Sequence, residues 1–182
     1  RWILFDTDFG FGIWDANRYT NNTLNFALNP SGPNWPNPPW STFLFRKMME
    51  NETFQKRFIN TFSDELNYRF LATRVKDAID LNRETVRSEM PRHIEKWGKS
   101  SMTAWESKVN DMKNFASQRP LSMRNFIKEE FDLPTQRLIK LVIDNTDAGS
   151  IQLNSIRVTK AEWSGYYYPT VPITLTAVAK TG

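Results

Sequence analysis

Residues 52–70, ETFQKRFINTFSDELNYRF, carry the pattern that decides the fold of the chain. Apolar side chains recur there every four residues, with Ile59 beside them: Phe54, Phe58, Phe62 and Leu66. This spacing puts the apolar side chains on one face of an α-helix, flanked by polar residues. Asn51, which precedes the stretch, is a residue type that caps helix N-termini. The stretch therefore predicts a long helix that packs one face into a core.

Helical patterns continue on both sides of this stretch. FLFRKMMEN (43–51) follows Ser41 and Thr42, two candidate N-caps. A later helix is predicted to begin with Thr73 as its cap and to end before Pro91. Its buried side is marked by Val75, Ile79 and Val86.

A further helix is predicted to start at Ser101 or Thr103 and to close at Arg119-Pro120. Its buried side is predicted to carry Trp105, Val109, Met112 and Ala116. SMRNFIKEEF (122–131) predicts one more short helix. By contrast, residues 17–40 are rich in Asn, Pro, Ser and Gly, and are predicted to form a loop.

After Pro134 the apolar pattern changes from the helical period to that of strands. Three segments are predicted to be strands: 138–144, 150–158 and 171–179. In the last, alternation places one set of residues on the same face: Val171, Ile173, Leu175, Ala177 and Ala179. Residues 144–149, DNTDAG, predict a turn. The predicted fold class is α+β, with a mostly helical domain at 1–133 and a small antiparallel β appendage at 135–182.

Composition excludes several classes of protein. The 182 residues include 40% hydrophobic and 14% aromatic residues, enough for a packed core. Basic and acidic residues, 24 and 20 in number, are interleaved, which argues against nucleic-acid binding. The chain has no cysteine, so disulfides and thiolate metal sites are excluded. No stretch approaches the length of about 18 apolar residues that a membrane span requires.

The N-terminal stretch RWILFDTDFGFG (1–12) joins a short apolar run to two acids and two glycines. Residues 2–5 predict a buried strand. At its end, Asp6 and Asp8 either hold a metal ion or cap backbone amides in a solvated turn. His93 is the only histidine, so it makes no His-rich metal site; a packing or helix-start role is predicted for it.

This stretch resembles the acid-rich segment of the CotH kinase family, spore-coat-type secreted kinases with an atypical protein-kinase-like fold. WSTFLFRKMMENETFQKRFINTF (40–62) is similar to the helix pair that follows this segment in the family. EMPRHIEKWG (89–98) also resembles members of the family. The resemblance covers roughly residues 1–131 and implies that this part is the C-lobe of such a kinase.

The resemblance implies transfer of a phosphoryl group from ATP to Ser or Thr of a protein substrate, with Mg²⁺ or Mn²⁺. Asp6 is then the metal-binding acid at the end of a C-lobe strand, and Asp8 binds the same or a second ion. Gly10 and Gly12 let the backbone turn past the phosphates. The family's phosphate loop, nucleotide lysine and catalytic acid precede this segment. No catalytic residue is therefore assigned, and the isolated chain is expected to be inactive.

Residues 149–182 resemble the small β modules of bacterial surface proteins, in particular divergent internalin-type repeats. This resemblance implies an exported or cell-surface protein of a bacterium, of which the chain is expected to be a part. An alternative function is a non-catalytic module that binds surface glycans through aromatic side chains. The best candidates for such contacts are Trp163, Tyr166, Tyr167 and Tyr168.

Overall fold

A computed structural model of the chain describes residues 10–12, 14–31, 38–98 and 100–180. Six α-helices precede five β-strands in this part of the chain. The helices are α1 (Thr23–Leu28), α2 (Phe43–Met49), α3 (Glu52–Asn67), α4 (Ala72–Arg87), α5 (Met90–Trp97) and α6 (Met102–Glu130). The strands are β1 (Arg137–Val142), β2 (Gly149–Leu153), β3 (Ile156–Val158), β4 (Glu162–Tyr167) and β5 (Leu175–Ala179). This order confirms the predicted α+β class. No described helix is long and apolar enough to cross a membrane.

Helix α3 confirms the helix that the four-residue spacing of apolar side chains predicted. The Asn51 side chain accepts a hydrogen bond from the Phe54 backbone N–H at 3.0 Å, which satisfies one free donor of the first turn. Ile59 and Leu66 are buried, while Phe58 and Phe62 pack at the edge of the same core. Full burial of an apolar side chain such as Ile59 or Leu66 contributes roughly 1.5–3 kcal/mol to the free energy of unfolding.

Two details predicted for α4 are wrong. The helix begins at Ala72, and Thr73 lies inside it rather than capping it. Val86 is exposed, because the buried face of this amphipathic helix runs through Val75 and Ile79 and does not extend into its last turn. Ile79 packs with Val109 and Ala116 of α6, as the apolar spacing of both helices predicts.

Helix α6 continues through Pro120, where the sequence predicted an end. Ser101 caps its start by accepting a hydrogen bond from the Ala104 N–H at 3.1 Å. The predicted helix at 122–131 is therefore the last part of α6. Pro120 removes one helical hydrogen bond. Burial of Ala116 before it and of Met123 and Ile127 after it offsets that loss.

The segment predicted as a loop at 17–40 contains regular structure. A single 3₁₀ turn spans Arg18–Thr20, and α1 follows it. The Asn22 side chain accepts from the Asn25 N–H at 2.9 Å and so caps α1. The loop prediction treated the Asn residues of this segment as loop residues, but Asn22, which precedes a short apolar run, serves as an N-cap.

The strands form a two-stranded antiparallel sheet, β1-β4, and a three-stranded antiparallel sheet, β3-β2-β5. The predicted strand at 150–158 is in fact a hairpin, β2 and β3, because Asn154 adopts a left-handed φ of 43° at the turn. Strand β4 was not predicted. Strand β5 starts only at Leu175, which is half-exposed, so the predicted common face is buried only at Val171 and partly at Ile173.

Contacts divide the chain into two compact units. The first comprises the residues up to Asn21 with Arg69–Ser122, and its core is the cluster around Ile79. The second comprises Asn22–Tyr68 with Met123–Gly182 and has one cluster around α3 and another between its strands. These units do not test where a domain of a longer protein ends, so the boundary near residue 134 stays a prediction.

Candidate functional site

The predicted metal ligands Asp6 and Asp8 lie outside the described residues, as does the strand predicted at 2–5. Within the described ranges, no group of three or more His, Asp or Glu side chains is placed to hold a metal ion. The described residues therefore offer no competing metal centre. Asp6 and Asp8 stay the predicted ligands.

The glycines that follow these acids form a tight turn in the first unit. Phe11 and Gly12 both have left-handed backbone angles, with φ of 55° and 68°. Gly12 is buried, and a Cβ there would lie 3.1 Å from the Asp15 carbonyl oxygen and 3.2 Å from a ring carbon of Phe115. The Phe11 and Phe115 rings pack with centroids 5.6 Å apart. The turn after the acidic motif is thereby fixed against α6.

The segment after the turn is held by the same helix. The Asp15 side chain accepts from the Asn17 N–H at 2.9 Å and so starts the 3₁₀ turn. Nη1 of Arg119 donates to the carbonyl oxygens of Tyr19 at 2.8 Å and Asn21 at 2.6 Å. Burial lowers the pKa of Arg119. Arg119 thus positions the backbone of the segment after the motif.

His93 and its neighbour Arg92 are exposed on α5. The His93 ring lies 6.5 Å from the Trp97 ring, one helical turn away. The helix predicted to end before Pro91 does so, since α4 ends at Arg87, and Pro91 itself lies in the first turn of α5. His93 lies in the first turn of α5, the helix-start position predicted for it, and is exposed rather than packed in a core.

One highly connected polar side chain of the described residues, Asp64, was not predicted as important. Its carboxylate is fully buried and accepts four hydrogen bonds in the second unit. The donors are the Tyr167 hydroxyl at 2.6 Å, Asn154 Nδ2 at 3.2 Å, and the backbone N–H and hydroxyl of Ser155 at 2.9 and 2.6 Å. These bonds tie α3 to β4 and to the β2–β3 turn.

Asp64 is a structural acceptor rather than a reactive acid. Both of its oxygens are occupied by donors from the protein. Burial, followed by the hydrogen bond to Asp64, raises the pKa of the Tyr167 phenol, so this hydroxyl keeps its proton. The four protein donors occupy both oxygens of the Asp64 carboxylate and leave no free lone pair for a ligand.

Asn67, at the end of α3, binds the backbone of β4 as a neighbouring strand does. Its Oδ1 accepts from the Tyr166 N–H at 3.0 Å, and its Nδ2 donates to the Tyr166 carbonyl at 2.9 Å. The same Oδ1 accepts from Nη2 of Arg124 at 2.8 Å. A Cβ at Gly165 would lie 2.9 Å from Cγ of Asn67, so this close approach requires glycine.

A sequence signal for these residues does exist. Ser63 and Asn67 follow Ile59 at intervals of four residues, and Asp64 lies five residues after it. That spacing puts three polar side chains beside the apolar stripe, where all three are buried. The donors to Asp64 lie 90 to 103 residues away in sequence, and the partners of Asn67 lie 57 and 99 residues away, so no local pattern identifies them.

The aromatic candidates for glycan contacts are mostly parts of the core. Tyr167 and Tyr168 are each 2% exposed. The Tyr168 hydroxyl donates to the Arg124 carbonyl at 2.7 Å, and Trp163 packs on Tyr167 with centroids 6.4 Å apart. Only Tyr166 presents about half of its surface to solvent.

Comparison with protein families identifies a relationship for this chain. The family described as CotH kinase protein matches residues 1–123 of the 182. This range includes the acidic motif, the glycine turn and most of α6. No curated protein and no solved structure matches the chain.

Proposed function

Because the chain belongs to the CotH kinase family, we propose that residues 1–123 serve ATP-dependent phosphoryl transfer to Ser or Thr of a partner protein. The observation that carries the proposal is the family match, which begins at the acidic motif and runs into α6. The turn at Phe11 and Gly12, which packs on Phe115, supports it, because the family resemblance implies a glycine turn directly after the acidic motif.

In this proposal Asp6 holds a divalent cation, Mg²⁺ or Mn²⁺, and Asp8 binds the same ion or a second one. Carboxylate oxygens are the ligands that both cations prefer. When bound, the cation bridges phosphate oxygens of ATP and neutralises their charge. Gly12 turns the chain away from the motif, and Arg119 holds the segment that follows.

The proposal assigns no residue of this chain as catalytic acid or nucleotide lysine. The lysines of the described part include several that pair with acids, as Lys56 does with Glu52 and Lys108 with Asp111. Among the acids, buried Asp64 is committed to its four donors. Asp6 and Asp8 are the residues on which the proposal depends.

We also propose that the protein is exported and that residues 149–182 are an internalin-type surface module. The antiparallel sheets formed by β1–β5 support a β module in this region. The glycan-binding alternative is not favoured, because Tyr167 and Tyr168 are packed in the core. Fractionation of the native organism, with an antibody against this chain, tests the location.

The activity test uses the natural protein that contains residues 1–182. Transfer of labelled γ-phosphate from ATP to protein is measured with Mg²⁺ or Mn²⁺ for wild type, Asp6→Asn and Asp8→Asn. The expected result is loss of transfer in Asp6→Asn and a smaller or equal loss in Asp8→Asn. Asp77→Asn is the matched control, because Asp77 is an exposed residue of α4 outside the motif.

Two further measurements make the outcome decisive. Circular dichroism establishes that each variant is folded, and Mn²⁺ binding followed by electron paramagnetic resonance reports the metal directly. Equal transfer in wild type and Asp6→Asn removes Asp6 from the mechanism. Absence of transfer in wild type, on itself and on generic acceptors, contradicts the kinase proposal.

A further inference from the structure

A pocket of about 260 Å³ lies in the second unit, between the end of α6 and strand β4. Its lining includes Arg124, Lys128, Thr135, Gln136, Tyr166 and Tyr168. The lining residues come from α6 and from the segment that follows it. All of them lie beyond residues 1–123, the range of the family match. The inference drawn from this pocket is therefore independent of the proposed kinase activity.

The pocket carries positive charge without a matching acid. Arg124 and Lys128 stand one helical turn apart on α6, and no Asp or Glu lines the pocket. Within the described part of the chain, neither residue forms an ion pair. Burial lowers the pKa of Arg124, so the guanidinium has lost hydration without gaining a carboxylate.

The Arg124 guanidinium is held in a fixed orientation by neutral groups. Nη1 donates to Oε1 of Gln136 at 3.0 Å, and Nη2 donates to Oδ1 of Asn67 at 2.8 Å. The guanidinium carbon lies 5.6 Å from the centre of the Tyr166 ring. Arginine has five N–H donors, so these two bonds leave three for a ligand. Amide oxygens orient the cation but do not neutralise it.

A further donor is present beside this cation. Nε2 of Gln136 is buried and has no hydrogen-bond partner within the described residues. A buried donor without a partner is costly, and a ligand oxygen that reached it would remove the cost. The Gln136 side chain lines the same pocket as Arg124 and Lys128.

We propose that this pocket binds a phosphate group. A phosphoryl group carries about −1.5 to −2 charges at neutral pH and three acceptor oxygens, which matches two cations that together offer several N–H donors. A carboxylate carries one charge and two oxygens, and leaves one cation without a partner. An oriented arginine is suited to phosphate, because two of its N–H groups can bind two phosphate oxygens. The phosphate comes either from a phosphorylated protein side chain or from the free ion.

The experiment titrates the whole chain with inorganic phosphate, with a phosphoserine peptide, and with the same peptide carrying glutamate or unmodified serine. Binding is followed by calorimetry and by the chemical shifts of labelled arginine side chains. The expected result is saturable binding of the phosphoserine peptide, with shifts at Arg124. The glutamate peptide is expected to bind about tenfold or more weakly, since it lacks a charge and an oxygen.

Two variants locate the site. Gln136→Glu keeps an oxygen for Arg124 but adds a negative charge, and is expected to weaken phosphate binding about tenfold or more. Lys128→Gln removes the second cation from an exposed position and is expected to weaken binding severalfold. Gln55→Glu on α3 is the matched control, because it adds the same charge outside the pocket lining, and is expected to bind as wild type does.

Each outcome bears on the proposal. Stronger binding of the phosphoserine peptide than of inorganic phosphate assigns the ligand to a protein side chain, and the reverse assigns it to the free ion. Absence of saturable binding of both at millimolar concentrations overturns the proposal. Unchanged binding by folded Gln136→Glu places the ligand elsewhere and also overturns it. Equal affinity for the glutamate and phosphoserine peptides overturns the assignment to phosphate.

Discussion

The Tyr167 hydroxyl donates a hydrogen bond of 2.6 Å to the carboxylate of Asp64, and both side chains are buried. The bond links α3 to β4 across 103 positions of the sequence. Three more donors converge on the same carboxylate from Asn154 and Ser155. The second unit is therefore held together by a polar centre as well as by its apolar clusters.

Substitution Tyr167→Phe removes one donor from the Asp64 carboxylate and leaves the ring in place. The free energy of unfolding is expected to fall by about 1.5–3 kcal/mol, the usual range for a hydrogen bond to a charged group. Urea denaturation measures this change. Tyr166→Phe is the matched control, expected within about 0.5 kcal/mol of wild type, since its ring is half-exposed. Equal losses in the two variants contradict a special role for the Asp64–Tyr167 bond.

Stability is expected to decline at alkaline pH. Burial is the main cause that raises the pKa of Tyr167, and it raises the pKa of Tyr168 to about 12. In the unfolded chain both phenols lose their protons near pH 10. Above that pH the folded state binds more protons than the unfolded state, so stability is complete below about pH 10 and falls as pH rises.

The slope of this decline identifies the tyrosines that cause it. Each tyrosine that keeps its proton in the folded state lowers the free energy of unfolding by about 1.4 kcal/mol per pH unit above pH 10. The share of Tyr168 levels off near its folded pKa of about 12. Urea denaturation between pH 8 and about 11.5 measures the slope. Tyr168→Phe is expected to reduce this slope by the share of one proton, about 1.4 kcal/mol per pH unit, while lysine titration contributes equally to both proteins. An unchanged slope in this variant contradicts the assignment.

Gly12 and Gly98 form a matched pair for measuring the close packing of the turn. Both have left-handed φ, 68° and 61°, but a Cβ at Gly98 meets nothing within 4 Å. Gly98→Ala is expected to cost about 1 kcal/mol from backbone strain alone. Gly12→Ala adds contacts of 3.1 and 3.2 Å and is expected to cost about 1–3 kcal/mol more. Thermal denaturation compares them, and equal costs contradict tight packing at Gly12.

Substitution Pro120→Ala is expected to stabilise α6. It restores a backbone N–H inside a helix, and alanine is favoured over proline there by about 3 kcal/mol, partly offset by a more flexible unfolded chain. A net gain of about 1–2 kcal/mol in unfolding free energy is expected by urea denaturation. Pro91→Ala, in the first turn of α5, is the control and is expected to produce no gain. A loss of stability in Pro120→Ala contradicts this account.

Features that depend on neighbouring residues were predicted from the sequence. Helix α3 follows from the four-residue spacing of its apolar side chains, and its start follows from Asn51. The turn at 144–149 follows from Asn145, whose Oδ1 accepts from the Asp147 N–H at 2.9 Å. The resemblance to the CotH kinase family was likewise found from sequence and is borne out by the family match over residues 1–123, while the metal-binding role of Asp6 and Asp8 stays a prediction.

Features that depend on distant contacts were missed. Asp64 lies on a helix that its apolar spacing predicts. The donors to its carboxylate come from residues 154–167, and no local spacing in the sequence relates those residues to Asp64. The pocket at Arg124 arises in the same way, since its ligand-binding character depends on Gln136 and Tyr166 from the segment after α6. Strand β4 was missed because the alternation of buried and exposed residues along it arises only when it pairs with β1.

The sequence by itself determined the order of elements, helices before antiparallel strands, and the family to which residues 1–123 belong. Hydrophobic period and capping fix these features, because both act within a few residues. Only the tertiary structure decided that α6 passes Pro120, that Asp64 becomes a buried acceptor and that the cation of Arg124 has no acidic partner among the described residues. Each of these depends on burial between segments distant in sequence, where packing and desolvation outweigh local preference.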